Sequence, residues 1–207
     1  VTGTNGFFRH MTADEIVDQV LFARHHLNQL PAETDAEQRI VRNIVFMGMG
    51  EPLLNTDAVI RAIQLLTSES GAAFPPRRIT VSTSGILPGL EQLAQTDLGV
   101  GLAISLNAPN DELRNEIMPI NKRYPLEDLI GLCARFPLRG NQRVTFEYVL
   151  IRDFNTAPAH ARQIARLLHG GTAKVNLIPF NPDPALPYER PDEDVIENST
   201  IFCAKKT

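Results

Sequence analysis

Apolar positions gather in five short runs along this chain, and a helical spacing of apolar residues follows each of them. The runs cover 43–47, 78–82, 101–105, 144–150 and 174–178. Several are nearly continuous in Val, Ile, Leu and Phe, the composition of strands covered on both faces. The helical spacing predicts helices over about 12–29, 56–69, 87–95, 110–117, 125–136 and 157–168, with a last one over about 193–204. Thr12 stands three residues before Glu15, the spacing of a capping box, and Thr56 reads as the N-cap of the second helix. Gly170-Gly171 closes the helix that ends near His169. Strand and helix in alternation imply βαβ units, a parallel sheet and right-handed crossovers, hence an α/β fold. No internal repeat or low-complexity tract interrupts the pattern. The proline-rich stretch 179–191 reads as a long ordered loop, because Phe180 and Tyr188 give it something to bury.

Composition adds bounds. At 207 residues, with 43% hydrophobic and 21% charged residues, the chain suits one soluble globular domain over 1–207 with a sizeable core. No apolar run approaches the ~20 residues of a membrane helix, and no charged-then-apolar leader opens the sequence. Two distant cysteines, Cys133 and Cys203, do not make a disulfide framework, so the expected setting is reducing and cytoplasmic. A net charge of −4 argues against indiscriminate nucleic-acid binding. It leaves room for a local basic face from Arg77, Arg78, Lys122, Arg123, Arg135, Arg139 and Arg143. For any one of them, a solvated charge on a helix surface is the simpler reading.

The chemistry is concentrated where the strands end. In parallel α/β folds ligands sit at the carboxyl ends of strands, among loops and helix N-termini. Here those ends read Gly48-Met49-Gly50-Glu51-Pro52, Ser82-Thr83-Ser84-Gly85, Ser105-Leu106-Asn107-Ala108-Pro109, Arg152-Asp153-Phe154-Asn155 and Pro179-Phe180-Asn181-Pro182. Glycines let a backbone approach a ligand closely, and Glu51 can accept hydrogen bonds from an ammonium group. Ser82, Thr83 and Ser84 can donate to a carboxylate near a helix start. An amino-acid moiety, carrying both groups, suits that pair of loops; turn chemistry and capping are the alternative for either loop alone. No P-loop, Gly-x-Gly-x-x-Gly turn, Gly-x-Ser-x-Gly elbow, Cys-x-x-Cys or His-x-x-x-His spacing is present. The five histidines, His10, His25, His26, His160 and His169, fall on helices or loops away from the strand ends, as surface or capping residues. Cys133 lies on an apolar helix face and reads as core; Cys203 reads as a helix residue, surface or core, ahead of any functional part.

Phe46-Met47-Gly48-Met49-Gly50-Glu51-Pro52-Leu53-Leu54-Asn55 resembles the Gly-Gly-Glu-type loop of radical S-adenosylmethionine (SAM) enzymes, in the form found in RlmN/Cfr-type RNA adenine methyltransferases. The segments 78–85, 103–112, 118–122 and 176–182 resemble that family in order and spacing, from Val1 to about Arg190. The resemblance implies a partial (β/α)6 TIM-like barrel of the radical SAM type, without its first strand and cluster loop, incomplete at both ends. It implies SAM contacts at Gly50 and Glu51 on the amine side and Ser82 on the carboxylate side. Ser105, Leu106 and Asn107 would take the ribose and adenine region, with Asn181 as a further contact. Many members of that family carry His where this chain has Asn107.

The resemblance further implies a [4Fe-4S] cluster in the longer parent, held by three cysteines whose third lies just before Val1, so that none of the cluster's ligands is in this chain. The family's other two catalytic cysteines would lie before the cluster and beyond Thr207, which leaves no catalytic residue here. The implied reaction is radical methylation of carbon 2 of an adenine in 23S rRNA, and in some tRNAs, through a methyl-cysteine. Radical chemistry is needed because that carbon is not nucleophilic. A reductant such as flavodoxin, a monomeric state and a cytoplasmic, membrane-free setting come with it. The chain alone is expected to be inactive. Two other readings remain open: a catalytically dead remnant acting as an RNA-binding or scaffold module, and a radical SAM enzyme with a small substrate.

Overall fold

The structure, a computed structural model, describes residues 6–29, 41–47, 49–171 and 173–204, with side chains as far as Ser199. Gly48, residues 1–5, the closing 205–207 and the Cys203 side chain lie outside what is described. Five strands follow chain order, β1 (Ile44–Phe46), β2 (Ile79–Thr83), β3 (Gly101–Ser105), β4 (Val144–Leu150) and β5 (Ala173–Pro179). The described pairings are parallel. Helices α1 (Ala13–Asn28), α2 (Thr56–Thr67), α3 (Leu87–Gln95), α4 (Asp111–Ile117), α5 (Leu126–Ala134), α6 (Pro158–Leu167) and α7 (Glu193–Ala204) complete the α/β pattern. Strands and helices fall where the apolar spacing predicts them, to within two residues at most ends. None of the helices among the described residues is long and apolar enough to cross a membrane.

The chain divides into two compact units, 1–83 with 88–101, and 84–87 with 102–207. In the first, β1 pairs with β2 in the register Ile44↔Ile79 and Phe46↔Val81. The core there is α2, which buries Val59, Ile60, Ile63 and Leu66 along one face. Each such side chain contributes about 1.5–3 kcal/mol relative to its exposed state. β2 is nearly continuous core, whereas Val45 of β1 is half exposed, so the expected two-sided covering holds for β2 and not for β1. α1 carries the capping box read from Thr12 and Glu15 but buries no residue. The N-cap of α2 is Asn55, not Thr56. The chain leaves the 3-10 turn Pro52–Leu54 with Asn55 in a non-helical backbone conformation, and the Thr56 hydroxyl donates backwards to the Leu53 carbonyl (2.9 Å).

In the second unit, β4 sits between β3 and β5, with Ser105↔Glu147 and Glu147↔Asn176 as register partners. β4 alternates: Val144, Phe146, Tyr148 and Leu150 are buried, while Thr145, Glu147 and Val149 are half-buried. Leu129, Leu132 and Cys133 of α5 and Ile164 of α6 add to this core. Burial pushes the Cys133 thiol up to about 12, which fits its reading as an inert core residue. Gly170 takes a left-handed conformation just past α6, as a closing glycine should. The proline-rich loop is ordered around the predicted aromatics: Tyr188 packs between Phe154 and Phe180 at centroid distances of 5.9 and 6.1 Å. Arg152 pins the same loop, bonding Glu189 (3.1 Å) and Asp192.

Candidate functional site

The loop after β1 turns at Gly50, whose φ of 79° favours glycine, and a Cβ there would meet no atom within 4 Å. The backbone therefore borders open space at this point. Glu51 follows, half-buried, as the N-cap of the turn Pro52–Leu54. Its Oε1 accepts from the Leu53 backbone N–H (3.1 Å) and from the Thr83 hydroxyl (2.7 Å). Thr83 and Ser82 end β2 and are 2% and 6% exposed. The hydroxyl expected to meet a ligand carboxylate thus meets a carboxylate of the protein itself. What the loop offers is a carboxylate fixed by two donors, beside a groove of about 460 Å³ whose lining includes Arg9, His10, Phe46, Met49, Gly50 and Glu51. A carboxylate so fixed is suited to accept from a ligand ammonium.

α3 keeps the loop in place by close approach. A Cβ on Gly89 would stand 2.5 Å from the Leu53 carbonyl oxygen and 2.6 Å from the Thr56 hydroxyl. Only glycine lets the helix lie this near the turn that carries Glu51.

In the second unit the chain leaves β3 irregularly. The N–H groups of Leu106 and Asn107 both donate to the Glu147 carbonyl (2.9 and 3.2 Å), and Asn107 takes a φ of 57°. Asn107 Oδ1 accepts from the Val149 N–H (3.1 Å), and its Nδ2 lies 3.4 Å from the Met118 sulfur. Asn155, 2% exposed, braces the same place. Its Nδ2 donates to the carbonyls of Asn107 (2.8 Å) and Val149 (2.7 Å), and its Oδ1 accepts from the Ile151 N–H (2.8 Å). Tyr148 closes the group by donating to the Asn155 carbonyl (2.9 Å). Ser105 is half-buried at the end of β3, Leu106 is core, and Asn181 is exposed two residues past β5.

Sequence reasoning missed Arg114. On a helix reading Asp-Glu-Leu-Arg-Asn-Glu-Ile it looks like a surface charge, yet it is 0% exposed. Burial holds its pKa down to about 10, against the opposing pull of Asp111. Arg78 precedes β2 and bonds Asn43 (3.3 Å), and Arg135, Arg139 and Arg143 lie between α5 and the start of β4. Lys122 and Arg123 sit at the 3-10 turn Pro119–Lys122, where the Arg123 guanidinium lies 5.3 Å from the Tyr124 ring centre.

The radical SAM superfamily matches residues 2–164. The chain belongs to that superfamily. Among radical SAM proteins it is similar to the dual-specificity RNA methyltransferase RlmN of Methylocella silvestris, at 46% identity over 95% of this chain and 51% of the relative. The protein of the same description from Syntrophobacter fumaroxidans is 48% identical over 93% of this chain and 54% of its own length. The crystal structure of a radical SAM methyltransferase from Sphaerobacter thermophilus superposes with a TM-score of 0.90 at 44% identity, over 99% of this chain and 58% of that one. The chain spans about half the length of the curated relatives it matches. The radical SAM resemblance at the Gly50-Glu51 loop and the α/β architecture read from the alternation of strand and helix agree with these findings.

Proposed function

We propose that this chain is the SAM-binding portion of a radical SAM RNA methyltransferase. The observation that carries the reading is the Glu51 carboxylate, fixed by the Leu53 N–H and the Thr83 hydroxyl beside an open glycine turn. Gly50 and Glu51 would hold the amine of SAM and Ser82 the carboxylate side. Ser105, Leu106, Asn107 and Asn181 would serve the ribose and adenine; Asn107 would act through the loop's shape, since its amide is engaged with Val149 and Met118. SAM supplies the methyl group when bound.

For the whole protein the proposed product is an adenine methylated at carbon 2 in 23S rRNA, and in tRNA, through a methyl-cysteine. A flavodoxin-type reductant, a cytoplasmic setting and a monomeric state belong to the same reading. The RNA methyltransferases among the similar proteins support it. The cysteines of this chain do not fit the cluster: thiolate ligands are needed in number, and the chain has two cysteines, with Cys133 in the core. The chain alone is therefore expected to turn over no substrate.

Equilibrium binding of SAM to the chain and to Glu51→Ala tests the reading. The variant should lose affinity by at least about tenfold, the scale of one charged hydrogen bond. Equal affinity for the two proteins would remove Glu51 from the site and the cofactor reading with it.

A further inference from the structure

We propose that Arg114 is a positioning residue for the strand ends. One guanidinium sets the peptide planes of Ser84, Ser105 and Leu106 and so fixes the loops that the cofactor reading, on which this rests, assigns to SAM. Its Nε donates to the Leu106 carbonyl (3.0 Å) and Nη1 to Asn121 Oδ1 (2.7 Å). Nη2 donates to the carbonyls of Ser84 (2.7 Å) and Ser105 (3.0 Å). Asn121, 1% exposed, is held in turn by Asp111 Oδ1 (2.7 Å) and Asn115 Oδ1 (2.9 Å). The same Asp111 oxygen accepts from the Leu126 N–H (2.9 Å).

Two features separate this from a packing role. The partners of the cation are three main-chain carbonyls and an amide; the carboxylate, Asp111, acts one residue removed through Asn121. A buried charge left without a direct counter-ion among the described residues is harder to accommodate than an apolar side chain of similar volume, so filling space does not explain an arginine here. Second, successive carbonyls along a strand point to opposite sides. Here those of Ser105 and Leu106 both turn onto one guanidinium, while the N–H groups of Leu106 and Asn107 turn to the Glu147 carbonyl. The irregular exit from β3 is thus clamped from both sides, and the same arginine reaches the Ser84 carbonyl that follows β2 in sequence. A methionine could fill the volume but could not hold three carbonyls at set angles.

The test combines peptide-resolved hydrogen exchange with SAM binding, on the 207-residue chain and on R114M, R114A and N121L. R114M should fold, with exchange at 84–87 and 104–109 faster by at least about tenfold, β4 unchanged, and SAM affinity lower by a similar factor. Millimolar guanidinium should restore affinity to R114A, and methylammonium should not, because only the former has the planar fork. N121L, which keeps Arg114 and removes one anchor, should loosen 104–109 less, and it decides the matter if R114M fails to fold. Wild-type exchange in R114M or N121L overturns the proposal. So do loosened loops with SAM affinity within about twofold of wild type, or rescue by methylammonium as good as by guanidinium. If the wild-type chain binds no SAM, the cofactor reading fails, while the exchange measurement still decides whether Arg114 fixes the loops.

Discussion

The two units treat polar groups at their strand ends in opposite ways. In the first, one carboxylate is fixed by two donors and borders an open groove, and the flanking α1 buries nothing. In the second, Arg114, Asn121 and Asn155 are all but sealed from water, and their hydrogen bonds go to main-chain groups, to one another and to the side chains of Asp111 and Asn115. The first arrangement presents a functional group; the second holds a backbone shape. The two arrangements differ in how they should fail. A change in a presented group costs affinity with the fold intact. A change in a shape-holding group costs stability first, because each buried partner left unmet costs about 1–3 kcal/mol.

The sharpest way to break this contrast is Asn155→Asp. The near-isosteric change places a carboxylate oxygen against the carbonyls of Asn107 and Val149, where an N–H₂ now donates to both. Chemical denaturation should show a loss of about 3 kcal/mol or more at neutral pH. Acidification should relieve part of it, because the protonated acid can donate again. A loss under 1 kcal/mol would mean that the second unit is not held together at this point.

A smaller effect is expected in the first unit from Gly89→Ala. Alanine gains about 1 kcal/mol in helix propensity. Against that, its methyl would stand 2.5 Å from the Leu53 carbonyl, so α3 or the turn must move. A net destabilisation of about 1–3 kcal/mol is expected, with weaker SAM binding as the Glu51 turn shifts. A neutral or stabilising change would show that the turn is not located by α3.

The mildest probe is pH at the start of α1. Arg9 bonds both oxygens of Glu15 (2.7 and 2.6 Å), and with the Thr12 N–H it lowers that carboxyl from 4.5 to about 2. A depressed carboxylate adds stability that is complete above its unfolded pKa and lost as pH falls through the folded one. Amide protection in the first turn should therefore hold from pH 7 to about 5 and fall away between about 4 and 2. Arg9→Ala should move the Glu15 midpoint, followed by carboxyl NMR, upward toward 4.5. A wild-type midpoint already near 4.5 would mean that the Arg9 pairing does not persist in solution.

Much of this was legible in the sequence. Strands and helices announce themselves through period, and the Thr12–Glu15 box and the Gly50-Glu51 turn rest on neighbours close in sequence. Arg114 and Asn155 were not legible as braces, because most of their partners are main-chain groups, which no residue type encodes. Thr56 differs from its expected role as an N-cap for a related reason. Its hydroxyl has two acceptable uses, and the preceding turn, not the residue itself, decides between them. By its chemistry Thr83 suits a ligand donor; only the fold shows it bonded to Glu51.

Asn107 carries one more consequence, for substitution between relatives. The position asks for two things at once, tolerance of a left-handed backbone and an acceptor for the Val149 N–H. Asparagine meets both, and a histidine can meet both as well, offering Nδ1 where asparagine offers Oδ1. The exchange is therefore not neutral in one respect. A histidine holding that bond must keep Nδ1 unprotonated and would release Val149 on acidification. The amide has no such proton to gain, so the bond to Val149 survives acidification here where a histidine's would not.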